Sequence, residues 1–155
     1  GITPKIHDRI TKLEAYFSNR IVYEILNRIY HFPDGDKINR LKIPAQVLES
    51  DELTKQFLSG LFSTDGKFII MRKNYPRIGL DSASLEFIKE AEMALIRLNF
   101  NPRFSVWNRK TGNKLYGLCL NGFEQVTKFH KEIGFIGEKA NKLEHFLANN
   151  APLRQ

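Results

Sequence analysis

Phe57-Leu58-Ser59-Gly60-Leu61-Phe62-Ser63-Thr64-Asp65-Gly66 decides how this chain folds. Upstream of it, Ser50 or Asp51 can cap a helix and Asp51 and Glu52 suit its positive end. The apolar run over residues 53–64 then carries that helix to the stop signal Gly66. Gly60 and Thr64 lie one turn apart, as do Ser59 and Ser63, so small residues on adjoining faces would let another backbone come close. Gly60 costs about 1 kcal/mol of helix propensity relative to Ala, which points to a packing reason, and a second copy of the same helix is the obvious partner. Asp65 ends the helix where the dipole disfavours negative charge. A divalent cation would compensate it, because a carboxylate oxygen suits Mg²⁺, and two such aspartates from paired helices would set metal ions beside a phosphodiester. On physical grounds alone the first reading of Asp65-Gly66 is a plain helix-ending turn.

Downstream, residues 67–73 and 77–81 are rich in β-branched and aliphatic side chains, with Asn74-Tyr75-Pro76 as turn chemistry between them. Leu85, Ile88, Ala91, Leu95 and Leu98 then recur at spacings of three and four, a helix with one apolar stripe and Asp81 or Ser82 as its cap. Asn101-Pro102 leads into a second hairpin, residues 103–108 and 114–120 around Lys110-Thr111-Gly112-Asn113. Asn121 with Glu124 resembles a capping pair, and amphipathic helices over 123–133 and 139–149 close the chain. The order predicts an α+β domain, an antiparallel four-stranded sheet with helices on one face and the other face open. Residues 1–50 form a less regular helical or linker segment before a domain over 51–155. Helical stretches are expected near 10–16 and 22–30, followed by the turn-rich His31-Phe32-Pro33-Asp34-Gly35-Asp36, and no repeat is apparent.

A chain of 155 residues and 18.0 kDa suits one domain with a real core. No stretch approaches the roughly 18 apolar residues of a membrane span, so no membrane partner is expected, and no secretory signal is visible. Gly1 in place of an initiator Met fits a trimmed or processed chain. Cys119 is the one cysteine, which excludes an internal disulfide and every cysteine-rich zinc pattern. It reads as a buried strand residue in an intracellular protein of the cytoplasm or an organelle matrix. His7, His31, His130 and His145 have no paired metal-ligand spacing, and no Gly-rich phosphate loop is present.

The net charge of +7 suggests a polyanionic partner, and its distribution says more than its sum. Lys67, Arg72, Lys73 and Arg77 in the first hairpin, and Arg103, Arg109, Lys110 and Lys114 in the second, are interrupted by no carboxylate. Alternation sends Phe104 and Val106 to one face and Arg103, Ser105 and Trp107 to the other, joined there by Lys114 and Tyr116. In the first hairpin Phe68 and Ile70 suit the helix side, leaving Lys67, Ile69, Met71 and Lys73 outward, while Arg72 breaks the scheme. Such a face keeps a sheet soluble, or it enters a major groove with lysines on phosphates and Arg, Trp and Tyr on base edges. Trp107 reads either as edge packing or as a nucleic-acid contact.

The segment over residues 57–66 resembles the LAGLIDADG motif, and Ile43-Pro44 upstream, the αββαββα order and Gly134-Phe135 before Lys139 are similar to the same family, over residues 41–147. The resemblance implies a homing endonuclease, a site-specific, Mg²⁺-dependent hydrolase of double-stranded DNA with a saddle-shaped sheet. It implies metal binding at Asp65 and Gly66, and a contact between motif helices through Ser59, Gly60, Ser63 and Thr64. It also implies DNA contacts from Lys67, Lys73, Arg77, Arg103, Ser105, Trp107, Arg109, Lys110, Lys114 and Tyr116. The family's basic catalytic residue matches Lys139 by region, with Lys114 or Lys73 as alternatives. Ser63 departs from the motif, where the family name has an acidic residue. With one motif present, the second helix comes either from a homodimer or from another part of a longer chain, and the segment before Ser50 resembles the linker of two-motif members. The alternative function is a non-cleaving member, an intron-RNA maturase or a DNA-binding regulator.

Overall fold

The computed structural model describes residues 19–31, 41–108, 112 and 114–150, and the backbone of the two strands β1 (Lys5–Arg9) and β2 (Lys12–Tyr16). Helix α1 (Arg20–Glu24) runs into a π-helical turn over Ile25–Ile29, and a 3-10 turn over Ala45–Glu49 leads into α2 (Asp51–Thr64). Then follow β3 (Gly66–Met71), β4 (Tyr75–Ser82), α3 (Leu85–Arg97), β5 (Arg103–Asn108), β6 (Lys114–Asn121), α4 (Gly122–Glu132) and α5 (Glu138–Asn150). The four later strands form one antiparallel sheet in the order β3-β4-β6-β5. The expected α+β plan is therefore the observed one.

Even-numbered residues of that sheet face the helices: Phe68, Ile78, Leu80, Leu118 and Leu120 are buried with Leu58, Phe62, Ile88, Leu95, Val126, Phe129 and Leu143 in one core. Phe62 meets Phe129 edge-on at 5.2 Å between ring centroids, and Phe68 meets Phe146 at 5.5 Å, so α4 and α5 are both seated against the motif helix and its strand. Upstream, buried Ile43 donates its N–H to Glu90 Oε2 at 2.6 Å, and the hydroxyl of buried Thr54 donates within reach of the Val47 and Ser50 carbonyls. Arg97 bridges Asp51 and the Leu48 carbonyl, which fixes the entry to α2 from a helix 46 residues away.

Several expectations are corrected. The residues near 10–16 expected as helix contribute β2 instead, paired antiparallel with β1 from Lys5↔Tyr16 to Arg9↔Lys12. The cap of α3 is Ser84, whose Oγ accepts from the Phe87 N–H at 3.3 Å, rather than Asp81 or Ser82. Asn121 occupies the N-cap position of α4 without capping it through its side chain; that carbonyl accepts from Arg77 Nε at 2.7 Å. Arg72 and Lys73 lie in a 3-10 turn over Arg72–Asn74, which ends the strand before them and explains why Arg72 broke the alternation. Asn74 takes a left-handed φ of 55° there. The loops expected at His31-Phe32-Pro33-Asp34-Gly35-Asp36 and Lys110-Thr111-Gly112-Asn113 fall largely outside the described residues.

Candidate nucleic-acid interface and aspartate-bearing helix end

Ser50 starts α2 with its Oγ accepting from the Leu53 N–H at 3.2 Å, and Asp65 ends it with its N–H donated to the Leu61 carbonyl at 2.9 Å. Asp65 is exposed, and the next residue already belongs to β3. The tightness of this join comes from Gly66. A Cβ there would lie 2.4 Å from the Phe62 carbonyl oxygen and 2.7 Å from its Cα, so only glycine lets the strand leave so close to the helix. The carboxylate is thus held at a fixed step from the edge of the sheet.

Lys139, at the start of α5, reaches the same helix end. Its Nζ donates to the carbonyls of Ser63 and Gly66 at 2.7 Å, of Thr64 at 3.1 Å and of Phe62 at 3.4 Å. A cation on the last carbonyls of a helix answers the negative pole that Asp65 aggravates. Burial lowers the Lys139 pKa from its ordinary value, and the nearby Asp65 charge opposes that shift. The sequence placed Asp65 and Lys139 in one site, and the fold brings them together; it also gives the ammonium a structural task in ordering the end of α2.

The small residues divide between two sides of α2. Ser63 Oγ donates to the Ser59 carbonyl at 2.6 Å and accepts the Ile136 N–H at 2.8 Å, so it binds the loop before α5 in its own chain. Gly60 and Thr64 face away from it, and an added Cβ at Gly60 would meet nothing within 4 Å. Beside them runs a groove of about 560 Å³ lined by Phe57, Leu61, Asp65 and Phe87 among others. The bare side of the helix is therefore the Gly60–Thr64 side, with Leu53 46% exposed on it.

The open sheet face consists of the odd-numbered residues. Register lines up Ile69, Arg77 and Asn121 in one row, Lys67, Gly79, Cys119 and Arg103 in the next, and Asp81, Gly117 and Ser105 in a third. Lys67 and Arg103 are exposed, while Arg77 and Ser105 are half-buried. Lys67 is ion-paired with Asp81, a carboxylate one residue past the acid-free segment. Trp107, 43% exposed, lies flat on the sheet: a Cβ on Gly117 would sit 2.0 Å from its ring, so that glycine is the seat for the indole.

Tyr116 does not share this face. It has the parity of Leu118 and Leu120, packs against the core and stacks on Phe104 with ring centroids 6.4 Å apart. Lys114 has the same parity and is exposed at the far end of β6, opposite Asn108. Pairing of Val106 with Tyr116 and of Asn108 with Lys114 puts these residues on the helix-side parity, opposite to the phase expected from β5. Arg109, Lys110 and the Lys73 side chain lie outside the described residues. Cys119, expected as buried, is half-buried on the open face, where burial raises its thiol pKa; Asp81 adds to the rise, and Arg77 and Lys67 oppose it. Sequence reasoning missed Asp81, Asn121, Gly117 and exposed Tyr75, all of which strand register would have placed on this face.

As a metal ligand Asp65 fits, being an exposed hard-oxygen donor, but the Gly66 carbonyl is already bonded to Lys139. Among the described residues no three His, Cys, Asp or Glu side chains converge on a metal position. Asp65 supplies one carboxylate, and a divalent cation needs further oxygen donors beside it.

An open antiparallel sheet, helices on one face and a motif helix delivering an exposed aspartate at its edge define an αββαββα domain of a known type. A family model described as a LAGLIDADG-like domain matches residues 52–134, more than half of the chain, and the chain belongs to that family. It is also similar to a replicative DNA helicase, DnaB, of Rhodothermus marinus, 28% identical over 102 residues. That match covers 63% of this chain and 11% of the helicase, so the chain spans about a tenth of that relative's length. The two matched spans necessarily overlap, since too few residues lie outside 52–134 to hold the second. Among the described residues no helix is long and apolar enough to cross a membrane.

Proposed function

We propose that this chain is one half of a homing endonuclease that cuts double-stranded DNA at a specific site with Mg²⁺ or another divalent cation. The observation that carries the reading is the placement of Asp65, exposed at the end of a helix whose bare side is built around Gly60. A second motif helix laid along that side would set its own aspartate beside Asp65. Asp65 and that second aspartate would hold a divalent cation, which would supply Lewis-acid activation of a phosphodiester and of water. The chain's own residues do the rest: Lys139 orders the helix end, Gly66 fixes the distance to the sheet, and the open face meets the duplex. Arg103 and Lys67 would take phosphates, while Ser105, Arg77 and the seated Trp107 would lie toward base edges and sugars. Such an enzyme works inside the cell, in the cytoplasm or an organelle matrix. The match to a small part of a helicase supports an element carried inside a longer polypeptide.

The test is incubation of the protein and its Asp65→Asn variant with a duplex library and Mg²⁺. Cutting of one duplex by the wild type, with binding but no cutting by the variant, is the expected result. If both bind one sequence tightly and neither cuts, the protein is a non-cleaving binder, and intron RNA becomes the ligand to assay.

A further inference from the structure

Asn121 stands where a helix begins, and its side chain serves a strand instead. The backbone has the extended conformation of an N-cap, φ −114° and ψ 139°, yet the amide leaves the first N–H groups of α4 uncapped. Asparagine at this position ordinarily stabilises a helix through that bond. Here the amide turns to the open face of the sheet, where its Oδ1 accepts from Arg77 Nε at 2.7 Å. The two residues are register partners on the neighbouring strands β4 and β6, in the row that Ile69 completes on β3.

That one bond orients both groups. Arginine Nε–H only donates, so the amide oxygen of Asn121 has to face it and Nδ2 has to face the other way. Arg77 keeps Nη1 and Nη2, which meet no acceptor among the described residues. The row neighbour Ile69 has no polar side-chain atom, and Asp81, the carboxylate of this face, is engaged by Lys67. Arg103 is the contrast. It is exposed on the edge strand β5, and among the described residues no side chain holds its guanidinium, so it is free to follow a phosphate. Arg77 is half-buried on a strand paired along both edges and tethered at Nε, which holds its fork in one orientation.

The geometry points to Arg77 and Asn121 as one unit that reads a guanine, with Asn121 as the positioning residue. This deepens the proposed function, on which it rests for a duplex whose major groove meets the open face. Every polar group the pair has left to present is a donor: the two Nη groups and Nδ2. In the major groove guanine alone sets two acceptors side by side, O6 and N7. Adenine and cytosine carry an amino donor there, and thymine sets a methyl group beside its oxygen. An untethered asparagine would suit adenine, which asks for one donor and one acceptor, but the acceptor of Asn121 is committed to Arg77.

The experiment selects duplexes from a random library by binding in EDTA, so that binding is read apart from cutting, and then varies the selected duplex one base pair at a time. At one position guanine should be preferred over each other base by about tenfold, and 7-deazaguanine, which lacks the N7 acceptor, should bind about tenfold more weakly there. Both ratios should fall to about one in Arg77→Met, and to less than about threefold in Asn121→Ser and Asn121→Leu. Serine is suited to the vacated cap but too short to hold Nε, so Asn121→Ser should lose discrimination while melting no lower than the wild type. A residue that merely tied β6 to β4 would change affinity for all four bases alike. The inference is overturned if both Asn121 variants keep the wild-type ratios. It is overturned equally if the contact is insensitive to 7-deazaguanine and is lost on neutralising a neighbouring phosphate as its methylphosphonate. A protein that shows this preference and never cuts in Mg²⁺ loses the endonuclease reading and keeps this one; a protein that selects no duplex loses both.

Discussion

Helices α2 and α1 are both amphipathic, both capped by a side chain at the start, and opposite in circumstance. Helix α2 has Leu58 and Phe62 in the core, Ser63 tied to the Ile136 backbone and its last carbonyls held by Lys139, with one side bare. Helix α1 buries none of its residues. The difference teaches that pattern and capping are enough to draw a helix, while what it is worth to the fold depends on the surfaces around it.

The sharpest way to break this comparison is to truncate one apolar side chain on each side of it. Phe62→Ala should destabilise the chain by about 3–5 kcal/mol in urea titration, whereas Ile29→Ala in the same chain should stay within about 0.5 kcal/mol. Equal costs would mean that α1 is covered within residues 1–155. Next in size is the clasp at the end of α2. Lys139→Met, which keeps much of the stem and removes the donor, should cost about 1–3 kcal/mol by leaving several carbonyls without their charged partner. The folded pKa of Lys139 lies below its unfolded value, so the unfolded chain binds the extra proton across the window beneath 10.5. Stability of the wild type relative to Lys139→Met should therefore rise with pH through that window; a falling difference would mean the ammonium is favoured in the fold. The smallest effect has the opposite sign. Gly60→Ala should stabilise the isolated chain by about 1 kcal/mol, since the helix has open space at that position and gains propensity. A loss instead would show that something within this chain already rests on Gly60.

Much of the later domain was legible because its signals are local. The helices, both hairpins and the exposed Asp65 at a helix end follow from period, caps and turn residues within a few positions of each other. What escaped depended on partners far away in sequence. Lys12-Leu13-Glu14-Ala15-Tyr16 contains good helix formers and no β-branched residue, and pairing with β1 overrides that preference. Asn121 would cap α4 but for Arg77, 44 residues earlier, which claims its side chain. The face of Tyr116 is set by pairing with Val106 and Ser82, which alternation within β6 alone does not fix. Lys139 matched the family by region, but its four carbonyl contacts required the fold to bring α5 against α2.

The pairing of Lys67 with Asp81 means that the sheet carries a resident counter-anion of its own. Under the proposed function a DNA phosphate has to displace a carboxylate before it can use Lys67, so that contact releases no salt cation to the bulk and adds little to non-specific affinity. Asp81→Asn would convert the site to an ordinary ion-exchange contact, with tighter binding to any duplex and a log affinity against log salt plot steeper by about 0.9. The carboxylate would then be understood as a restraint on promiscuity.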